Sequence, residues 1–103
     1  FDATVKAIEC LDKCMQKVGE ALGHTKGVLL ITADHGNAEA MFDEKTEQPH
    51  TAHTCHQVPL LFVGPNWHFT QTTGTLIDIA PTMLALLGIE KPIEMTGNVL
   101  MAE

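Results

Sequence analysis

The chain has 103 residues and a formal net charge of −7, and all six of its basic residues are lysine. Nucleic acid and anionic membrane surfaces are bound through basic patches, so neither is expected as a partner. No apolar run approaches the length of a bilayer span. At this size the chain is one small domain or a piece of a larger one. It opens at Phe1 directly into a helical pattern, which reads as a fragment or a processed chain. There are three cysteines, Cys10, Cys14 and Cys55. An odd and sparse set does not make a disulfide scaffold, so reduced thiols and a cytoplasmic location are expected. No basic stretch followed by an apolar one marks a signal peptide.

From Asp2 to Leu22 the apolar residues Val5, Ile8, Leu11, Met15, Val18 and Leu22 recur at steps of three and four, which predicts an amphipathic helix. Lys6, Glu9, Lys13, Lys17 and Glu20 fall largely on the other side, and Glu9 and Lys13 are spaced for an i,i+4 pair. Cys10 and Cys14 share a helix face and read as packing residues rather than as metal ligands or a redox pair. Gly23 is placed to stop the helix.

Val28 to Thr32 is a short, continuously apolar run rich in branched side chains, as expected of a strand covered on both faces in a parallel sheet. Asn37 to Met41 reads as a short helix capped by Asn37. Phe42 to Gln57 is polar, rich in histidine and without period, hence a loop. Val58 to Val63 is a second strand, with Pro59 tolerable near its start. Gly64-Pro65-Asn66 is a turn. Asp78 suits the N-cap of a helix that runs through about Leu87, with Pro81 in its first turn and Gly88 ending it. A last extended segment covers Met95 to Met101. Alternation of helix and strand is the α/β pattern. The five methionines read as core filler.

The chemistry is concentrated after the first strand, in Val28-Leu29-Leu30-Ile31-Thr32-Ala33-Asp34-His35-Gly36-Asn37. Ligands of open parallel sheets gather beyond the carboxyl ends of strands, and Asp34 and His35 stand there. A carboxylate beside an imidazole suits Mn²⁺ or Zn²⁺, and Gly36 lets the backbone turn close to an ion. The bland alternative makes Asp34 a helix cap and His35 a surface residue. A second cluster follows in His50, His53, Cys55 and His56. It could close a zinc site by itself, but structural zinc sites draw ligand pairs from two separated segments. His24, His50 and His56 therefore read as solvated loop histidines, and His68, beside Trp67 and Phe69, as a surface or partly packed one. Two absences bear on chemistry. A phosphorylated acid is usually gripped by arginine forks, and there is no arginine; there is no serine either, so no serine nucleophile lies within these residues.

The string Leu30-Ile31-Thr32-Ala33-Asp34-His35-Gly36-Asn37-Ala38-Glu39 with Met41 resembles the cofactor-independent phosphoglycerate mutases of the alkaline phosphatase superfamily. The resemblance continues, in order, through His50-Thr51-Ala52-His53-Thr54, Val58-Pro59-Leu60, Asp78-Ile79-Ala80-Pro81-Thr82-Met83-Leu84 and Glu94-Met95-Thr96-Gly97. The opening helix, with Ala7-Ile8-Glu9 and Leu11-Asp12, is similar as well. ADHG alone marks only the wider superfamily, which includes phosphopentomutases and phosphatases; ADHGN followed by HTAHT is more specific. One departure is Cys55-His56-Gln57, where the family commonly has an asparagine and a proline.

The resemblance implies an α/β fold, in which residues 1–103 form the carboxyl-terminal portion of an alkaline-phosphatase-like domain with a mainly parallel sheet flanked by helices. It implies interconversion of 3-phosphoglycerate and 2-phosphoglycerate through a phosphoserine, with two Mn²⁺ ions, or Zn²⁺ or another divalent ion in their place. By motif, Asp34 and His35 would be ligands of the ion that also holds the serine, and His53 a ligand of the other ion. His50 matches no ligand position. The nucleophile, the remaining ligands and the arginines would lie upstream, in a cytoplasmic, monomeric parent acting on a small phosphoglycerate. The rival from a different class is a stand-alone metal-binding module built on His50 to His56.

Overall fold

The computed structural model describes residues 2–36, 42–43, 48–49 and 57–103. In chain order the elements are helix α1 (Asp2–Gly23), strands β1 (Leu29–Ile31), β2 (Phe42–Asp43), β3 (Gln48–Pro49), β4 (Leu61–Val63) and β5 (His68–Phe69), helix α2 (Ile79–Leu86) and strand β6 (Met101–Ala102). The chain divides into two compact units, Phe1–Gly64 and Pro65–Glu103.

In the first unit the 3.6-residue period of the opening segment forms α1 as expected. None of its residues is buried, and Val5, Ile8, Leu11 and Val18 are each more than two-fifths exposed. Among the described residues of this unit, none covers its apolar stripe. Cys10 and Cys14 are exposed too, so the packing role expected of them is not met here. The i,i+4 contact on the polar face is Gln16 Nε2 donating to Glu20 Oε1 at 3.2 Å, instead of the expected Glu9–Lys13 pair. Gly23 is the last helical residue, but the stop is made by Thr25. Its hydroxyl donates to the Leu22 carbonyl at 2.9 Å and accepts the Gly27 N–H at 3.0 Å, closing the turn on the helix's loose end.

β1 occupies the centre of its predicted strand segment and β4 the second half of its own, but they pair antiparallel, Leu29↔Val63, Leu30↔Phe62 and Ile31↔Leu61. The pairings β2–β3 and β5–β6 are antiparallel as well. The mainly parallel sheet is therefore not what the described residues show. The error has a physical source. A continuous apolar run reports that both faces of a strand want cover; it carries no information on the direction of the neighbouring strand. Gly64 follows β4 closely against Val28, whose Cγ1 would stand 2.6 Å from any Cβ placed there. β2 and β3 fall in the stretch read as loop, because two-residue ladders are too short to show a period. The expected helix at Asn37–Met41 lies outside the described residues.

In the second unit Asn66, at φ 72°, makes the predicted turn, a left-handed conformation that asparagine tolerates. β5 then pairs with β6, His68↔Ala102 and Phe69↔Met101. A 3-10 turn at Leu76–Asp78 leads into α2, which ends at Gly88 (φ +72°). Leu100 and Met101 are the buried apolar residues, and Pro81 and Thr82 are fully enclosed. Of the extended segment expected at Met95–Met101, only Met101 with Ala102 enters a strand.

The enclosed polar groups decide how this unit closes. Asp78 does not cap α2 with its side chain as expected. Its Oδ2 accepts the Thr75 N–H at 2.8 Å, and its Oδ1 accepts the Asn98 N–H, also at 2.8 Å, from twenty residues along the chain. The Thr82 hydroxyl donates to the Asp78 carbonyl at 2.7 Å and accepts the Leu100 N–H at 3.0 Å. These bonds fasten the carboxyl-terminal segment to the start of α2. The Asn98 and Thr75 N–H groups hold the Asp78 carboxyl below its ordinary value, outweighing the opposing effect of burial. Gly97 is required at the same seam, because a side chain there would run into the Ile77 carbonyl.

Candidate metal centre

The turn after β1 brings two donors together. His35 Nε2 stands 3.4 Å from Asp34 Oδ1. The other ring nitrogen, Nδ1, lies 3.0 Å from the Gly36 carbonyl oxygen. A carbonyl only accepts, so Nδ1 is the donor in this contact. A backbone carbonyl that accepts from a ring nitrogen in this way is the usual support of a metal-bound histidine. Two donors held about 2.1 Å from one tetrahedral ion stand about 3.4 Å apart, which is the separation of these two atoms. The donor set thus fits one divalent ion. Asp34 is 84% exposed and His35 36%, so an ion held here would have positions left for ligands from other parts of a protein.

The root of the turn is tied down across the ladder. Thr32 Oγ1 donates to the Pro59 carbonyl at 2.8 Å, just past the final pair Ile31↔Leu61. Nothing in the sequence pointed from Thr32 to Pro59, 27 residues away.

Of the expected ligands, Asp34 and His35 are described, with donor atoms 3.4 Å apart. His53, expected as a ligand of a second ion, lies outside the described residues, as do His50, Cys55 and His56. His68 is exposed on β5, in keeping with its reading as a surface residue. Among the described residues no group of three histidine, cysteine or acidic side chains gathers as a metal cluster, and no helix is long and apolar enough to cross a membrane.

Residues 1–91 match the family described as the Metalloenzyme superfamily. The chain belongs to that superfamily. Its fold is one of mixed helix and strand. Among curated proteins the chain is similar to the 2,3-bisphosphoglycerate-independent phosphoglycerate mutase of Legionella pneumophila (strain Lens), with 65% identity over 98% of this chain and 20% of that protein. The mutase of the same name from Pseudomonas paraeruginosa is 56% identical over 95% of this chain and 19% of its own length. That of Coxiella burnetii (strain Dugway 5J108-111) is 56% identical over 93% and 18%. The chain spans about a fifth of the length of these relatives.

Proposed function

We propose that this member of the metalloenzyme superfamily is the carboxyl-terminal part of a 2,3-bisphosphoglycerate-independent phosphoglycerate mutase. The observation that carries the reading is the Asp34–His35 donor pair, 3.4 Å apart, within a chain 65% identical to a protein of that name. In this reading residues 1–103 are one incomplete domain of a cytoplasmic, monomeric enzyme. That enzyme moves a phosphoryl group between the 3- and 2-positions of phosphoglycerate by way of a phosphoserine. Asp34 Oδ1 and His35 Nε2 hold one divalent ion, His53 is a ligand of a second, and manganese is the metal. A pair of such ions supplies charge neutralisation for the attacking and leaving oxygens of the transferred group.

This chain's own part is to place donors. The Gly36 carbonyl, 3.0 Å from His35 Nδ1, orients the ring, and Nε2 faces Asp34 Oδ1. The exposed edge of Asp34 leaves room for the partner groups. The serine nucleophile and the arginines that grip the substrate come from the remaining four-fifths of the protein, since this chain contains neither residue type. Alone it is inactive.

The test is reconstitution. The chain joined to its upstream part is expected to convert 3-phosphoglycerate to 2-phosphoglycerate when manganese is present, with activity lost in Asp34→Ala and in His53→Ala. Turnover by these residues alone, or full activity in both variants, would end the proposal.

A further inference from the structure

The end of the β1–β4 ladder shows how the Asp34–His35 turn is aimed. The ladder stops at Ile31↔Leu61. One step further would bring Thr32 opposite Leu60, beside Pro59, which has no N–H with which to extend the pairing. The Pro59 carbonyl is met instead by the Thr32 hydroxyl, at 2.8 Å, across 27 residues of sequence. Only Ala33 separates Thr32 from Asp34. At its other end the bond grips the backbone that leads out of the stretch bearing His50, His53 and His56. Thr32 is β-branched, and with its hydroxyl engaged its χ1 is confined to one well.

We propose that Thr32 is a positioning residue for the metal site: its hydroxyl, bound to the Pro59 carbonyl, fixes the direction in which the chain leaves β1 and so the convergence of Asp34 and His35. The inference rests on the reading of Asp34 and His35 as ligands of one divalent ion. Energetics separate this role from a structural one. The bond is exposed. Water can replace either partner once it is broken, so its loss costs little overall stability. Its effect is on geometry, and groups that orient metal ligands without touching the ion commonly alter affinity by about tenfold or more. Thr32 acts one step further away, through the backbone, so a loss of about three- to tenfold is expected.

The experiment uses the whole protein. Manganese affinity is measured by electron paramagnetic resonance of the free ion, alongside thermal melting of the metal-free protein, for Thr32→Val, Thr32→Ser and Asp34→Ala. The expected result is weaker manganese binding in Thr32→Val, near-normal binding in Thr32→Ser, and unchanged metal-free melting in both. Unchanged affinity in Thr32→Val with weakened binding in Asp34→Ala overturns this inference and leaves the metal reading standing. Unchanged affinity in Asp34→Ala removes the metal reading and the inference with it. Weakened binding that serine does not restore, or that comes with a lowered metal-free melting temperature, shows Thr32 to be merely structural and also overturns it.

Discussion

Replacing Thr82 by valine would test the seam that closes the second unit. Valine keeps the branched shape of a fully enclosed side chain and removes only its hydroxyl. Two bonds go with it, the one to the Asp78 carbonyl at 2.7 Å and the one from the Leu100 N–H at 3.0 Å. Leu100 is 4% exposed, so its N–H is left without an acceptor and with little access to water. An unpaired buried donor costs about 1–3 kcal/mol. The methyl group that replaces the hydroxyl returns up to ~0.8 kcal/mol of apolar burial. The net loss is about 1–2 kcal/mol, which corresponds to roughly 5- to 30-fold more frequent opening of the seam. Amide exchange of the whole protein, followed at Leu100, reads this directly. The Thr70 N–H, which donates to the Leu100 carbonyl at 2.9 Å and keeps its partner, is the internal reference. Thr82→Ser retains both bonds and loses only a methyl group, so it should leave the Leu100-to-Thr70 ratio unchanged. The reasoning is refuted if Leu100 accelerates no more than Thr70 in Thr82→Val, or if serine and valine shift the ratio equally.

Two further predictions concern the same seam. The Asp78 carboxyl, held low by the Asn98 and Thr75 N–H groups, should titrate below 3.8, followed by its carboxyl carbon resonance. A carboxyl whose folded pKa is depressed contributes stability that is fully present above its unfolded value and disappears as pH falls through its folded one. The contribution should therefore be constant from neutrality down to pH 3.8, fade below it, and be absent at every pH in Asp78→Asn; titration at or above 3.8 would contradict this. Gly97→Ala would drive a methyl group into the Ile77 carbonyl, a backbone atom that cannot rotate aside. Overpacking of this kind costs about 1–3 kcal/mol, so the melting temperature of the whole protein should fall, and an unchanged value would mean that the seam can spread without penalty.

Much of the organisation was legible in the sequence because it is local. The period of Val5, Ile8, Leu11 and Val18 defined α1, Gly88 marked the end of α2, and the order of strand, Asp34, His35 and glycine put two ligand types on one turn. The same order of motifs pointed to a family in agreement with the match over residues 1–91.

Other features came only from the course of the chain in space. Nothing in two apolar runs states that Leu29 faces Val63 and Ile31 faces Leu61, because strand direction is settled by how the intervening chain returns. Asp78 was read as the cap of α2, a role its side chain does not take; one of its partners, the Asn98 N–H, is 20 residues away and has no sequence signature, since every residue except proline offers the same N–H. The bond from Thr32 to Pro59 is of the same kind. The amino-acid sequence by itself determined which residues are candidates for metal chemistry, as residue type and spacing are written in it. The tertiary structure decided how those residues are aimed, because direction depends on hydrogen bonds between segments that the sequence keeps far apart.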